Sequence, residues 1–168
     1  MLIQNHRTQL QTQLAKFSFF PQSNILTSST AIMSGKDSSV VIHIKNTMMG
    51  GFLEIKNAEL KQGKFHEDGN KDVEISAADI SKKVAAPHTA IDICASASST
   101  GKGLEGSLEL YDSGKKICKF TWKDPASGDN DFQVSDFQLG GPYLAIPQGW
   151  NRSGGSLGRV TVDVMKRE

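Results

Sequence analysis

The sequence predicts an all-β fold, a two-sheet antiparallel β-sandwich built as a single domain. From residue 38 onward, short runs of alternating apolar and polar residues recur at intervals of about ten residues. Glycine, asparagine, aspartate and serine separate these runs, and no segment of comparable length has helical periodicity. The 168 residues are enough to bury one hydrophobic core. We therefore expect two stacked sheets around that core.

Three predicted strand segments open the domain. They are SVVIHIKN (39–46), FLEIKNAEL (52–60) and GKFHEDGNKDVEI (63–75). In the first segment, alternation places Ile42 and Ile44 on one face and His43 on the other. In the third, Asp68-Gly69-Asn70 separates two alternating runs, which predicts a β-hairpin.

Six further strands are predicted in the second half. They are AIDICAS (90–96), GSLELYD (106–112), KKICKFTWK (115–123), FQVSDF (132–137), PYLAI (142–146) and GRVTVDVM (158–165). Leu108 and Leu110 share one face of their strand, so we expect water on the other face of that sheet. The segment SAADISKKVA is the one candidate for helix, and a single turn over the end of the sheets is expected there.

Residues 1–37 are predicted to be an N-terminal extension, and 38–168 the β-sandwich domain. No acid precedes Asp37, and Arg7 and Lys16 accompany serine and glutamine, so residues 1–32 have some features of a mitochondrial presequence. A disordered extension, or a true start at Met33, is the simpler interpretation. No apolar run is long enough for a secretory signal or a transmembrane helix.

The charge balance argues against electrostatic binding to nucleic acid or to anionic membranes in general. The chain has 19 Lys and Arg against 18 Asp and Glu, and no basic cluster stands out. Binding to a membrane would therefore have to be specific.

The residues that carry chemistry are too scattered to predict an enzyme, a metal site or a cofactor. Cys94 and Cys118 lack the spacing of zinc ligands, and we expect two buried free thiols, with a disulfide left open as an alternative. His66, Glu67 and Asp68 are expected to be solvated turn residues.

Two aromatic clusters are the better candidates for a binding site. Trp122 ends a strand beside Lys123, and Trp150 lies near Tyr143 in PYLAIPQGWNR. Tryptophan and tyrosine suit a boundary between water and a lipid, because each has an apolar body and a polar tip. Lys123 and Lys102 are surface charges by default, yet a lysine beside an aromatic ring can hold a phosphate head group. Each tryptophan has core packing as its alternative.

The segments GKFHEDGNKDVEISAAD, ICASASS, FTWKDP and SGGSLGRVTVD together resemble the aegerolysin family, and the resemblance covers residues 39–166. It implies a small β-sandwich protein that binds particular membrane lipids, notably sphingolipids with or without sterol. It also implies a possible larger partner of the perforin type, with which such proteins form pores. The protein is then expected to be cytoplasmic or secreted by a non-classical route, and to bind membranes peripherally.

The candidate site departs from the family pattern. Mushroom members have a W-D-C-P-W segment, of which Trp122 and Pro125 match, whereas Ala126 replaces the second tryptophan. The lysine that follows in the family is replaced near Asp129, and the family's earlier tryptophans are replaced near Ser39 and Gln62.

Two functions from different classes therefore remain open. The first is a lipid-binding protein whose site includes Trp122, Lys123, Asp129, Trp150, Tyr143 and Lys102. The second is a soluble carbohydrate- or protein-binding module that has kept the sandwich and lost the membrane anchors.

Overall fold

The computed structural model describes residues 35–167, and these residues form a β-sandwich. The predictions for residues 1–34, including the presequence features at Arg7 and Lys16 and the start at Met33, lie outside the described residues. The described strands are β1 Ser39–Asn46, β2 Leu53–Gln62, β3 Lys64–Glu67, β4 Asn70–Ile75, β5 Val84–Ala85, β6 Ala90–Ser96, β7 Leu104–Asp112, β8 Lys115–Asp124, β9 Asp131–Ser135, β10 Tyr143–Gln148 and β11 Gly158–Lys166, and helix α1 is Ala77–Ile80.

The strands form two sheets. The six-stranded sheet has the order β10-β11-β1-β6-β3-β4, and the five-stranded sheet has the order β5-β2-β7-β8-β9. The predicted sandwich is confirmed, with one difference, because β1 and β11 pair in parallel. The six-stranded sheet is therefore mixed, since the first and last strands of the domain run side by side in the same direction.

The core lies between the two sheets, where the alternation in each strand points every second side chain inward. Ile42 and Ile44 are fully buried, as the alternation predicts. Leu108 and Leu110, on the inner face of the other sheet, are fully buried in the same core. Each such side chain contributes about 1.5–3 kcal/mol relative to its exposed state. Outward neighbours such as Glu109 are partly exposed, which confirms the expected contact with water.

Two local predictions are also confirmed. Strands β3 and β4 form the hairpin predicted around Asp68-Gly69-Asn70. Helix α1 is a single turn, as expected. Ser76 caps its start by accepting a hydrogen bond from the Asp79 N–H at 3.1 Å. Ile80 is fully buried and fixes this turn against the core. No helix in residues 35–167 is long and apolar enough to cross a membrane.

The cysteines are free thiols, as expected. Cys118 lies on the inner side of β8 within the core, and Cys94 lies on β6 and is also buried. Burial raises the pKa of Cys118 to about 12. Burial also raises the pKa of Cys94 to about 11, with a further contribution from the Asp68 carboxylate, whose oxygen lies 3.6 Å from the sulfur.

The prediction for the His66 segment is wrong in part. Glu67 and Asp68 are exposed, as expected. His66 is only 6% exposed, and it belongs to strand β3 and not to the turn. Its Nδ1 donates a hydrogen bond to the Glu67 carbonyl at 2.8 Å. The described residues contain no group of three or more His, Cys, Asp or Glu side chains that could hold a metal ion.

Candidate functional site

The predicted site residues are divided between the two ends of the sandwich. We call the end where β1 begins and β8 finishes the Trp150 end, and the end where β10 begins and β7 finishes the Tyr143 end. The register supports this division, because Leu104 pairs with Asp124 at one end of β7, and Asp112 pairs with Lys115 at the other.

Asp124 holds the Trp150 end together. Its buried carboxylate accepts hydrogen bonds from the backbone N–H of Ser39 at 3.0 Å and of Leu157 at 2.9 Å. The Lys36 ammonium lies 2.6 Å from its other oxygen. These contacts join the start of β1, the end of β8 and the segment before β11. The end of the sandwich therefore has a charged, fully buried anchor.

Asn130 extends this anchor into the two loops that carry the surface residues. It accepts a hydrogen bond from Lys36 at 2.6 Å, and its own amide group donates to the Asn151 carbonyl at 3.0 Å. The Asn130 N–H also donates to the Arg152 carbonyl at 2.9 Å. The loop after β8 and the loop before β11 are thereby fixed to each other. Sequence reasoning missed Lys36 and Asn130, because their partners are distant in the chain.

Trp150 lies at the surface of this end, half-buried. Its ring centroid is 5.9 Å from that of Phe132, which packs in turn on Phe120 of the core. The Arg152 guanidinium lies 4.8 Å from the Trp150 ring, a cation–π contact. Asp129, Asn130, Asp131, Phe132, Trp150 and Arg152 line an open cleft of about 490 Å³. The structure therefore brings Asp129 and Trp150 together and adds Arg152.

Lys102 and Lys123 share a second cleft at the same end. It measures about 170 Å³ and is lined by Gln62, Gly101, Lys102, Gly103, Leu104, Glu105, Lys123, Pro125 and Ala126. Gly103 allows the loops to approach, because a Cβ there would lie 3.2 Å from the Gln62 Oε1 and 3.3 Å from the Pro125 Cα. Both lysines are exposed.

The Glu105 carboxylate in this second cleft is already paired. The Lys61 ammonium donates to it at 2.9 Å, and this hydrogen bond is the main cause that holds the pKa of Glu105 below its usual value. Among the described residues, neither Lys102 nor Lys123 has a carboxylate within ion-pair distance. The cleft is therefore bordered by two lysines that have no ion pair among the described residues.

Trp122 lies in the core and not at the surface. Its side chain is 2% exposed and packs edge-to-face on Phe65 of the opposite sheet, with ring centroids 6.4 Å apart. The period of two explains this, since Cys118, Phe120 and Trp122 alternate along β8 and all point inward. In this structure the Trp122 ring is not available to a lipid, and it packs beneath the strand that carries Lys123.

Tyr143 lies at the opposite end from the other candidates. Its hydroxyl donates to the Asp112 carboxylate at 2.9 Å, and the Lys166 ammonium lies 3.2 Å from the same oxygen. Burial and the bond to Asp112 raise the pKa of Tyr143. The sequence-based grouping of Tyr143 with Trp150 is therefore wrong. Strand β10 runs from one end of the sheet to the other and separates the two aromatic residues.

Comparison with known proteins supports the resemblance. The family model for aegerolysin matches residues 37–167. Asp-hemolysin of Aspergillus fumigatus is 35% identical over 130 residues, which cover 76% of this chain and 92% of that protein. Ostreolysin A6 of Pleurotus ostreatus is 32% identical over 120 residues, covering 68% of this chain and 86% of that protein.

A solved structure agrees with these sequence matches. The crystal structure of RahU protein in complex with a TRIS molecule superposes with a TM-score of 0.72 at 28% identity, covering 78% of this chain and 96% of that chain. The family model accounts for the whole of the described sandwich. The chain belongs to the aegerolysin family.

Proposed function

We propose that this protein is a non-catalytic, membrane-lipid-binding aegerolysin that docks on the bilayer through its Trp150 end. The observation that carries the proposal is the surface pair of Trp150 and Arg152, held at the same end as the cleft of Lys102 and Lys123. A half-buried tryptophan suits the lipid–water interface, and arginine and lysine can pair with lipid phosphate groups.

The rigidity of this end supports the proposal. The buried Lys36–Asp124 pair and the Asn130 hydrogen bonds fix the loops that carry Trp150 and Arg152. A binding surface that is ordered before it meets its ligand loses less conformational entropy on binding. Docking therefore needs no folding of the loops.

The names of the relatives support a role in membrane lysis. Similar proteins are named Asp-hemolysin and terrelysin. We propose haemolytic activity for this chain, directed at membranes that contain a sphingolipid, with or without a sterol. We also propose that lysis uses a larger perforin-like partner, with this protein as the component that recognises lipid. The protein would then bind membranes peripherally.

Vesicle co-sedimentation tests the docking orientation. We expect Trp150→Ala to weaken binding to sphingolipid vesicles, with and without sterol, and to keep a cooperative thermal transition, with a melting temperature lowered by the loss of the Phe132 contact. Met49→Ser is the matched control, because Met49 is 81% exposed and lies beyond the far end of β1. Loss of binding in Met49→Ser but not in Trp150→Ala would reverse the orientation. Absence of binding by the wild type to every vesicle would overturn the function.

Fluorescence of single-tryptophan variants gives an independent measurement. In Trp122→Phe, the remaining Trp150 should be quenched by brominated lipid when vesicles are added. In Trp150→Phe, the remaining Trp122 should not be quenched, because it lies in the core. Equal quenching of both tryptophans would contradict the proposed contact.

The outer face of the five-stranded sheet favours a second candidate, a carbohydrate-binding module. A cleft of about 290 Å³ lies there, and cross-strand neighbours Ser107, Thr121 and Gln133 form part of its lining. Hydroxyl and amide groups in such a row can hydrogen-bond to sugar hydroxyls. Binding on a glycan array without binding to vesicles would support this alternative.

A further inference from the structure

The proposed site at the Trp150 end contains two clefts of different chemistry, and the second identifies a class of head group. The cleft of Lys102 and Lys123 is about 170 Å³ and has no aromatic residue in its lining. Its polar side chains are two lysines, Gln62 and Glu105. Its chemistry is that of a small, mainly cationic recess.

The charges in this recess do not cancel. Glu105 is the one carboxylate of the lining, and it pairs with Lys61, which lies outside the cleft. Lys123 is the cross-strand neighbour of both Glu105 and Asp131, yet the described residues contain no ion pair for Lys123 or Lys102. Two lysine side chains without an ion pair therefore border one small volume, which favours an anion with several acceptor oxygens.

A quaternary ammonium group, such as choline, is not matched by this end of the molecule. Such a cation is recognised by open aromatic faces. Trp122 has its ring in the core at 2% exposure, and Trp150 already contacts Phe132 and the Arg152 guanidinium. The recess is also narrow at Gly103, where two neighbouring segments approach the backbone closely. A Cβ on Gly103 would lie within 3.3 Å of atoms on both segments.

We propose that the Lys102–Lys123 cleft binds a phosphomonoester head group, an anionic phosphate that carries no quaternary ammonium. This inference rests on the proposed membrane function and makes it more specific. The two lysines would donate to the phosphate oxygens, and the Gln62 amide would donate to a third position at the rim. Membrane contact through Trp150 would bring the cleft to the depth of the head groups.

Binding to four kinds of phosphatidylcholine vesicle tests the proposal. Each kind contains one added lipid at the same mole fraction, and the four added lipids are phosphatidic acid, ceramide phosphate, sphingomyelin and phosphatidylglycerol. We expect the two phosphomonoester lipids to be bound more tightly than sphingomyelin and phosphatidylglycerol. Lys102→Gln and Lys123→Gln should each weaken that binding by about fivefold, the contribution of one lysine near an anionic surface. Lys115→Gln, at the Tyr143 end, is the matched control and should bind as the wild type does.

The outcomes separate this inference from the function on which it rests. Preferential binding to sphingomyelin, unchanged in the two lysine variants, overturns the phosphomonoester and leaves the membrane function intact. Equal binding to phosphatidylglycerol, with equal loss in Lys115→Gln, shows diffuse charge attraction and also overturns it. Direct binding of soluble glycerol phosphate, measured by calorimetry, with no binding to any vesicle identifies a free phosphate compound as the ligand and overturns the membrane function. No binding to any probe overturns both.

Discussion

Lys36 and Asp124 form an ion pair of 2.6 Å in which the aspartate side chain is fully buried and the lysine side chain is 11% exposed. The same carboxylate accepts two backbone N–H groups, so it fixes the first residue of β1 and the residue before β11. The pair therefore connects the closure of the sandwich to the loops of the candidate site.

The first prediction concerns this pair. Asp124→Ala should lower the free energy of unfolding by about 3–5 kcal/mol, because it removes the counter-charge of the largely buried Lys36 ammonium and the acceptor of the Ser39 and Leu157 N–H groups. Urea unfolding at pH 7 measures the change. The single variant Lys36→Met and the double variant Lys36→Met/Asp124→Ala complete the cycle. The double variant should lose less stability than the summed losses of the two single variants. Additive losses would show that the two side chains do not interact.

The second prediction concerns the pH dependence set by Asp112. Burial acts to raise the pKa of this carboxyl, but hydrogen bonds from Tyr143, Lys166 and Ser113 outweigh burial and hold it below its usual value. A carboxyl whose pKa is lowered by folding stabilises the fold above its unfolded pKa of about 4. That contribution is lost as the pH falls through the lower pKa of the folded state.

Tyr143→Phe tests this pH dependence, since it removes one donor and should raise the pKa of Asp112. At pH 7 the variant should be less stable than the wild type by about 1 kcal/mol. The difference should shrink as the pH falls from about 4 through the lower pKa of the folded wild type, because below that pKa both proteins carry a protonated Asp112. Urea midpoints at the two pH values measure it. A difference that stays constant with pH would contradict the coupling.

The third prediction concerns the thiols. With pKa values of about 11 for Cys94 and about 12 for Cys118, roughly one thiol in a thousand or fewer is ionised at pH 8. The native protein should therefore react very slowly with a thiol-specific reagent, and two thiols should react at once in denaturant. Cys94→Ser should abolish the faster of the two native phases. Rapid reaction of the native protein would contradict the burial of both sulfurs.

The strands of this protein follow directly from its sequence, because burial with a period of two is a local property. The same period placed Trp122 on the face of Cys118 and Phe120, which is the signal that assigns it to the core. The neighbouring Lys123 and the family motif favoured a surface role for the tryptophan instead. Alternation along the strand was the better guide.

Which residues lie together in the candidate site depends on contacts between distant parts of the chain. Tyr143 and Trp150 are close in sequence, but β10 runs between them and carries them to opposite ends of the sheet. Asn130 and Lys36 are 94 residues apart and meet only after the sheets have stacked. The parallel pairing of β1 with β11 likewise cannot be inferred from either strand alone.

The last prediction compares two glycines with opposite surroundings. A Cβ on Gly106 would lie 2.5 Å from Leu60 Cδ2, 2.5 Å from Trp122 Cζ2 and 2.8 Å from the Glu59 carbonyl oxygen. Gly106→Ala should therefore destabilise the fold by about 1–3 kcal/mol, because the Trp122 ring has to shift within a packed core.

Gly50→Ala is the matched control, since a Cβ there meets nothing within 4 Å and the backbone does not have a positive φ. That variant should be neutral, or more stable by up to about 1 kcal/mol through the lower entropy of its unfolded chain. Thermal unfolding of both variants, with the near-ultraviolet circular dichroism of the tryptophans, measures the contrast. Since Trp122 supports the strand that carries Lys123, Gly106→Ala should also weaken vesicle binding, whereas Gly50→Ala should not. Equal stability of the two variants would mean that the Trp122 ring does not pack against Gly106 in solution.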